Sequence, residues 1–391
     1  MISEFLQSRI DAGDFPSAVY LVAEKGEIVF QDALGYAVVE PERIEAKLDT
    51  IYDLASLTKV LVTGLLCALL VERKQLDLGR TLDHYFPEFY APHTFTEDTW
   101  DTSIAELVSH CSLLPAWIPF YLISESRAEV LRSILHGRLE LEASNVNYSD
   151  LNFLVLMFLA EDIFNKRIDL VTDIEIVKPL ALIETFFNPS KEVKHRVAAS
   201  EKGNEYERQM CIENGYDLGG NATVKERAEK NPVATAPGSD KFRDHLIWGE
   251  VHDGNAYFMG GVAGHAGLFS TAEEVFKIAL QFLPNYTQLL KPETCGLFTT
   301  NFTKGLNEDR SFAFQLASTK DSTAGTKMSP ESYGHNGFTG TSVWIDPGKD
   351  RVFVLLTNRT HDHPLPFVNI NSVRRRFHDL AIAALDNISS N

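Results

Sequence analysis

Strand-like runs lie near both ends of the chain, and this feature limits most strongly how the chain can fold. Near the amino end, residues 18–23 and 27–33 are apolar, β-rich runs joined by a short segment that ends in glycine, which predicts a hairpin. Near the carboxyl end, residues 341–345 and 351–357 are a second such pair. Residues 346–350 between them contain a proline followed by a glycine, which is strong turn chemistry. The sequence therefore predicts two hairpins, one at each end.

Helical spacing of apolar residues fills much of the remaining chain. It predicts a first helix over residues 2–12, a mostly helical middle from about 76 to 182, and a last helix from about 366 to 385. Residues 201–244 are polar and show no clear period, so we expect a long surface excursion there.

Strands at both ends with helices between them predict an α+β fold. In this interpretation, residues 1–75 and 245–391 together form an antiparallel sheet flanked by helices. Residues 76–244 form a mainly helical lobe inserted into it. A cleft between the two lobes is the expected place for a functional site.

The composition excludes several classes of protein. The 36 basic and 54 acidic residues give a net charge of −18, which repels nucleic-acid phosphates. The cysteines form no C-x-x-C pair, so we expect reduced thiols and no zinc knuckle. The amino end lacks the features of a signal peptide, and the longest apolar run, about residues 60–71, is too short to cross a bilayer. We expect a soluble, cytoplasmic protein with no membrane partner.

Ser56-Leu57-Thr58-Lys59 is the only S-x-x-K sequence in the chain, and it stands where a long apolar helix begins. Residues three apart on a helix share a face, so the Lys59 amine is expected beside the Ser56 hydroxyl. A serine nucleophile needs a neighbouring base, and an apolar helix would desolvate Lys59 and lower the pKa of its amine. The alternative at this point is a serine helix cap beside a solvated lysine.

Two further segments carry candidate residues. Tyr148 begins a predicted helix and can act as a general acid or base across a cleft, or merely pack at an interface. His335 and the glycines after it, Gly337 and Gly340, stand at the start of the carboxyl-terminal hairpin. His335 can bind a carboxylate or pass a proton, and the Phe338 N–H can serve an oxyanion; the alternative is a histidine at a strand end.

These segments resemble the penicillin-recognising serine hydrolases. Ser56-Leu57-Thr58-Lys59, Tyr148-Ser149-Asp150 and His335-Asn336-Gly337 match the order and spacing of that group's three motifs. Residues 107–115 and 260–270 are similar to two flanking motifs, so the resemblance spans about residues 17–357. Class C β-lactamases, D,D-carboxypeptidases and β-lactamase-fold esterases form the branch that looks most similar.

The resemblance implies the β-lactamase/transpeptidase-like fold and a role for each motif residue. Ser56 would be the acylated nucleophile, with Lys59 as its base partner. Tyr148 would carry protons to and from the leaving group. The amides of Ser56 and Phe338 would form the oxyanion hole, and Asn336, Gly337 and Asp150 would lie against the substrate. The resemblance implies no cofactor, and we expect no metal.

Two departures from the family pattern bear on the substrate. Asp150 replaces the usual asparagine of the second motif, and an ionised carboxylate cannot donate to a substrate carbonyl. Asp150 can instead pair with Lys59 and keep it protonated. His335 stands where lactamases and peptidases often have lysine, and a neutral histidine holds a substrate carboxylate less well than a permanent cation.

These observations lead to a ranked expectation of function. The first is a serine hydrolase that cleaves small esters or amides through a Ser56 acyl-enzyme, with esters favoured. The second is a D,D-carboxypeptidase, a D-amino-acid peptidase or a weak β-lactamase. The third is a catalytically silent scaffold protein, an alternative that rests on the presence of Asp150 in place of the usual asparagine. Trp117, Phe120 and Tyr121 are expected either to line the acyl pocket or to pack in the core.

Overall fold

The computed structural model describes residues 1–87, 101–136, 145–216, 218 and 241–389. The strands of the described part follow in chain order: β1 Ser17–Glu24, β2 Glu27–Val38, β3 Ile44–Glu45, β4 Tyr52–Asp53, β5 Phe186–Phe187, β6 Leu268–Ser270, β7 Gln315–Leu316, β8 Tyr333–Asn336, β9 Ser342–Asp346 and β10 Arg351–Thr357.

Helices precede, separate and follow these strands. The α-helices are α1 Ile2–Asp11, α2 Leu65–Glu72, α3 Leu82–Tyr85, α4 Ile104–Val108, α5 Phe120–Ile123, α6 Arg127–His136, α7 Asp150–Phe164, α8 Ile168–Thr172, α9 Glu205–Glu213, α10 Gly254–Phe258, α11 Ala272–Ala279, α12 Gly296–Thr299 and α13 Asn371–Ser389. A π-helical segment, Lys59–Gly64, leads directly into α2.

The main sheet joins the two ends of the chain. Its strand order is β3-β2-β1-β10-β9-β8-β7, and neighbouring strands pair antiparallel. The central pair is β1 with β10, in register from Ala18 opposite Thr357 to Glu24 opposite Arg351. A smaller sheet, β4-β6-β5, carries the segment that leads to Ser56. Both predicted hairpins, β1-β2 and β9-β10, are confirmed.

The main sheet is covered on both faces because its inner strands are apolar on both sides. On one face, Tyr20 and Phe353 pack with Leu6 of α1 and Phe377 of α13. On the other face, Val19 belongs to a larger core that includes the helix after Ser56, α7 and α11. Burial on both faces explains the nearly continuous apolar sequence of β1 and β10. The predicted α+β, β-lactamase/transpeptidase-like fold is confirmed.

The ends of the helices differ slightly from the predictions. The last helix begins at Asn371 rather than near residue 366. At this start, the Asn369 side chain accepts a hydrogen bond from the Asn371 amide at 3.0 Å. The helices α3 to α8 lie between β4 and β5, in the predicted helical middle, of which residues 88–100 and 137–144 lie outside the described part. The division into two lobes stays a prediction.

The prediction of a surface excursion over residues 201–244 is wrong for its first part. Residues 205–213 form α9, in which Glu207 and Cys211 are buried. The sequence misled because one of the residues that α9 buries is an acid, so no apolar period is visible. Residue 217 and residues 219–240 lie outside the described part. Among the helices of the described part, none combines the length and apolar character that a bilayer span needs.

Candidate active site

Ser56 lies in a sharp turn between β4 and the π-helical segment. The preceding residue, Ala55, has a left-handed backbone with φ of 46°. The Asp53 carboxylate accepts a hydrogen bond from the Ala55 amide at 2.8 Å and holds this turn. Left-handed backbone is costly for a residue with a side chain, so the surrounding contacts must enforce it. The turn places Ser56 at the start of the helix that carries Lys59.

The Lys59 ammonium lies beside the Ser56 hydroxyl, in line with the three-residue spacing. Lys59 is fully buried, and Nζ donates to Ser56 Oγ at 2.9 Å and to the His265 carbonyl at 3.1 Å. Nζ also lies 2.7 Å from Oδ1 of Asp150. Burial favours the neutral amine, but Asp150 and Tyr148 outweigh it and raise the pKa of Lys59 above its ordinary value. The prediction that desolvation lowers this pKa is therefore wrong in its net direction.

Asp150 is the residue that changes the electrostatics of this site. It is the first residue of α7, whose N-cap Ser149 accepts a hydrogen bond from the Leu151 amide at 3.2 Å. The Asp150 amide donates to the Ala116 carbonyl at 2.9 Å, which fixes the start of the helix. The alternative in which Asp150 pairs with Lys59 is the one that the structure contains. Lys59 is consequently an ammonium at neutral pH and cannot accept the Ser56 proton.

Tyr148 lies between two cations. The Lys59 ammonium lies 5.0 Å, and the Arg310 guanidinium 5.2 Å, from the centre of its ring. The His110 ring packs against it with centroids 4.6 Å apart, and Nδ1 of His110 accepts a hydrogen bond from the Ser149 amide at 3.0 Å. These contacts fix the phenol at the edge of the cavity described below.

His335 is buried and neutral. Burial, reinforced by Arg310 and Lys59, holds the pKa of His335 well below its usual range. Nδ1 of His335 lies 2.9 Å from the Asn336 carbonyl, so this nitrogen carries the proton and Nε2 is left as an acceptor. No partner for Nε2 exists among the described residues, and the ring lies 5.7 Å from that of Tyr148. A neutral His335 fits proton transfer better than the binding of a carboxylate.

The segment after His335 is attached directly to the turn that holds Ser56. Thr339 Oγ1 donates to the Asp53 carbonyl at 2.7 Å, and Thr341 Oγ1 donates to the Leu54 carbonyl at 3.0 Å. Within the described residues, the amides of Ser56 and Phe338 donate to no backbone or side-chain acceptor. Both residues border the same cavity. Two such free donors can hold the negative oxygen of a tetrahedral intermediate.

A cavity of about 470 Å³ brings the predicted residues together. Its lining includes Ser56, Tyr148, Asp150, His335, Asn336, Gly337 and Phe338. Lys59 lies behind Ser56. Asn336 is held by a hydrogen bond from Thr323 Oγ1 at 3.0 Å. Of the three aromatic residues considered for the acyl pocket, Trp117 lines the cavity, whereas Phe120 and Tyr121 are buried in the cores.

The sequence interpretation missed several residues of this cavity. Arg310 and Glu207 both line it and are nearly fully buried. They belong to segments without recognisable motifs, so only the fold could reveal them. His252 and Asp253 also lie in the cavity wall.

One acidic cluster in the site has the composition of a metal centre. Ligand atoms of Asp150, Asp253 and His265 lie within 4.8 Å of one another. The Lys59 ammonium contacts the Asp150 carboxylate and the backbone carbonyl of His265. The Lys59 ammonium therefore supplies the positive charge next to Asp150.

Comparison with known proteins supports the family resemblance. The family model described as Beta-lactamase matches residues 2–374. A relative from Escherichia coli strain K12, named "Putative D-alanyl-D-alanine carboxypeptidase", is 29% identical over 384 residues, which cover 92% of this chain and 82% of the relative.

Solved structures give the same fold. "EstCE1, a hydrolase with promiscuous acyltransferase activity" superposes with a TM-score of 0.68 at 19% identity, covering 96% of this chain and 97% of that chain. A class C β-lactamase from Rhodobacter sphaeroides superposes with a TM-score of 0.66 at 15% identity, covering 98% of this chain and 99% of that chain.

The close contact at Gly337 yields a testable prediction. A Cβ at this position would lie 2.0 Å from Thr341 Oγ1 and 2.6 Å from the Leu54 carbonyl oxygen. Gly337→Ala is expected to push the Phe338 amide away from the Ser56 turn and to slow labelling of Ser56 by a fluorophosphonate by roughly tenfold or more. Gly296→Ala is the control, because a Cβ there meets nothing within 4 Å. Equal labelling rates for both variants would contradict the assigned oxyanion hole.

Proposed function

The chain belongs to the β-lactamase family of serine hydrolases, and on that premise we propose that it cleaves small esters or amides through an acyl-enzyme on Ser56, with esters favoured. One observation carries the proposal. A buried ammonium lies 2.9 Å from the Ser56 oxygen, and the amides of Ser56 and Phe338 donate to no acceptor in the part of the chain that the structure describes. A nucleophile, a positive charge and an oxyanion hole thus border one cavity.

In this proposal Lys59 acts as a cation. Its hydrogen bond stabilises negative charge on Ser56 Oγ as that oxygen attacks the substrate carbonyl. Because Lys59 is already protonated, Tyr148 acts as the base in this proposal, and its oxygen takes the Ser56 proton. The Lys59 ammonium and the Arg310 guanidinium lie 5.0 and 5.2 Å from the centre of the Tyr148 ring. The tetrahedral oxygen is held by the Ser56 and Phe338 amides.

Tyr148 then completes both halves of the cycle. Its phenol gives the proton to the leaving oxygen or nitrogen as the bond to the carbonyl carbon breaks, and the phenolate is restored. Water next attacks the acyl-enzyme and loses a proton to Tyr148, which returns it to Ser56 as the acid product leaves. His335 Nε2 is an acceptor on the same side of the cavity that can orient the phenol.

The nucleophile is tested first. With a chromogenic short-chain ester, the unaltered chain is expected to release a burst of product equal to its concentration and then to turn over. Ser56→Ala should abolish the burst and lower kcat by about a thousandfold or more. Ser8→Ala, an exposed serine on α1, is the control. A Ser56→Ala variant with full activity would overturn the proposal.

The role of Asp150 is tested by pH. Asp150→Asn removes the charge that raises the pKa of Lys59, so burial then lowers that pKa. Lys59 should lose its proton at lower pH, and the alkaline fall of kcat/KM should move toward neutral pH. Asp162→Asn, on an exposed position of the same helix, should leave the profile unchanged. A variant that gains activity at high pH would show that Lys59 acts as a base instead.

A carboxypeptidase is the second candidate, and Arg310 favours it. Arg310 is almost fully buried and pairs with Glu308 at 2.8 Å, yet its Nε and Nη1 have no partner among the described residues. A guanidinium with free donors beside Tyr148 suits a leaving group that ends in a carboxylate. The Escherichia coli relative named as a D-alanyl-D-alanine carboxypeptidase supports the same alternative.

The two candidates differ in one measurement. A carboxypeptidase is expected to cleave a peptide ending in D-alanyl-D-alanine faster than the same peptide with a carboxyl-terminal amide. Arg310→Gln should remove that preference, by roughly ten- to hundredfold. Arg376→Gln, an exposed arginine, should not. Absence of peptide cleavage together with ester turnover would leave the esterase as the function.

A further inference from the structure

The cavity has two walls of opposite chemistry. We define one wall by Tyr148, His335 and Arg310, because the His335 ring and the Arg310 guanidinium lie close to the Tyr148 ring. The second wall is Asp253 and Glu207, which are linked because the Gly254 amide, next to Asp253, donates to Glu207. We propose that the second wall, Glu207 with Asp253, binds a protonated amine on the acyl part of the substrate. This inference rests on the proposed function, because it assigns a side of the cavity to each part of the substrate.

Glu207 is a buried carboxylate with an unused oxygen. Its side chain is 6% exposed and borders the cavity from α9. Oε1 accepts a hydrogen bond from the Gly254 amide at 2.8 Å, whereas Oε2 meets no hydrogen-bond partner in the described part of the chain. A buried carboxylate oxygen of this kind is costly unless a donor reaches it. A ligand in the cavity can supply that donor.

Asp253 adds a permanent negative charge next to Glu207. Its Oδ1 lies 3.0 Å from Nε2 of His265 and accepts a hydrogen bond from the Ala256 amide at 2.7 Å. Burial opposes ionisation, but His265 and these hydrogen bonds hold the pKa of Asp253 well below its usual range. The second carboxylate oxygen has no partner among the described residues, and the residue borders the cavity.

The arginines of the cavity do not neutralise this wall. Arg359 donates to the carbonyls of Phe338 and Val368, at 2.7 and 2.8 Å. Arg374 donates to the carbonyls of Gly337 and Thr341, at 2.9 Å each. Both therefore hold the segment of the oxyanion hole. Within the described residues, no ion pair involves Glu207, so its charge is left for a ligand.

The position of the leaving group indicates that the wall of Glu207 and Asp253 contacts the acyl part of the substrate. Tyr148 protonates the leaving group in the proposed mechanism, so the leaving group lies on the wall of Tyr148 and Arg310. The acyl part then extends toward the rest of the cavity, whose lining includes Glu207 and Asp253. Trp117 and Tyr206 also border the cavity and offer aromatic faces, which attract ammonium groups. The substrate class is therefore an ester or amide of an amino acid or of a peptide with a free amino group.

The experiment compares matched esters. Phenyl esters of a series of aminoalkanoic acids are measured against phenyl esters in which a methyl group replaces the ammonium. The unaltered chain is expected to prefer the amino esters by roughly ten- to hundredfold in kcat/KM at the best chain length. Glu207→Gln should lower this preference about tenfold. Glu213→Gln, an exposed acid on the same helix, should leave it unchanged.

The pH dependence gives a second readout. Burial, with the charge of Asp253, raises the pKa of Glu207 to about 7. Its carboxylate forms as the pH rises through that value, so the preference for amino esters should increase while the substrate amine stays protonated. Other ionisable side chains also face Glu207, namely Asp253, His252, Tyr121, Tyr206, Cys211 and Arg243. A pH step that persists in Glu207→Gln would belong to one of these and would overturn the role of Glu207.

The outcomes separate this inference from the proposed function. Fluorophosphonate labelling of Ser56 requires no amine on the probe, so its rate in the unaltered chain tests the nucleophile independently of the amine site. Thermal unfolding of Glu207→Gln shows whether that variant is folded. Equal kcat/KM for amino and methyl esters, with normal labelling, overturns the amine site and leaves the hydrolase intact. Failure of the unaltered chain to be labelled or to cleave any ester overturns the proposed function itself.

Discussion

Lys59 is an ammonium group enclosed by protein, and the rest of the site is arranged around that charge. Removing an ammonium from water costs several kcal/mol, which only close acceptors and an opposite charge can offset. Ser56 and the His265 carbonyl accept hydrogen bonds from it, and Asp150 contacts it at 2.7 Å. Asp150 and His265 come from distant parts of the chain, so the site can form only when their segments have packed against the helix that carries Lys59.

The proposed oxyanion hole also depends on contacts between segments that are distant along the chain. The Ser56 turn follows a strand of the small sheet, whereas Phe338 follows a strand of the main sheet. Thr339 and Thr341 connect the two by hydrogen bonds to the carbonyls of Asp53 and Leu54. Because Gly337 has no side chain, the two segments approach closely enough for these bonds. The main sheet therefore positions one donor of the oxyanion hole and indirectly secures the other.

The sequence predicted the features that depend on local patterns. Hairpins at both ends, the position of Ser56 before a helix and the facing of Ser56 and Lys59 follow from turn chemistry and helical spacing. The ionisation of Lys59 was left open between a desolvated amine and a pair with Asp150, because Asp150 lies far away along the chain and only the fold shows that the two meet. Glu207 and Arg310 were missed for a related reason. A buried acid or arginine in a polar segment looks like a surface residue until the fold shows what covers it.

Asp150 also changes what the cavity can accept. Where an asparagine usually lies, an amide would donate to the substrate and leave the lysine to be balanced by other groups. With a carboxylate in its place, the charge of Lys59 is satisfied within the protein, and the remaining acids, Asp253 and Glu207, are not needed for it. Both acids border the same cavity as Arg310. A polar arrangement of this kind orients a substrate that carries its own charges, because reversing such a substrate would bring like charges together. The substitution at one motif position thus connects the protonation of the catalytic lysine to the selection of the substrate.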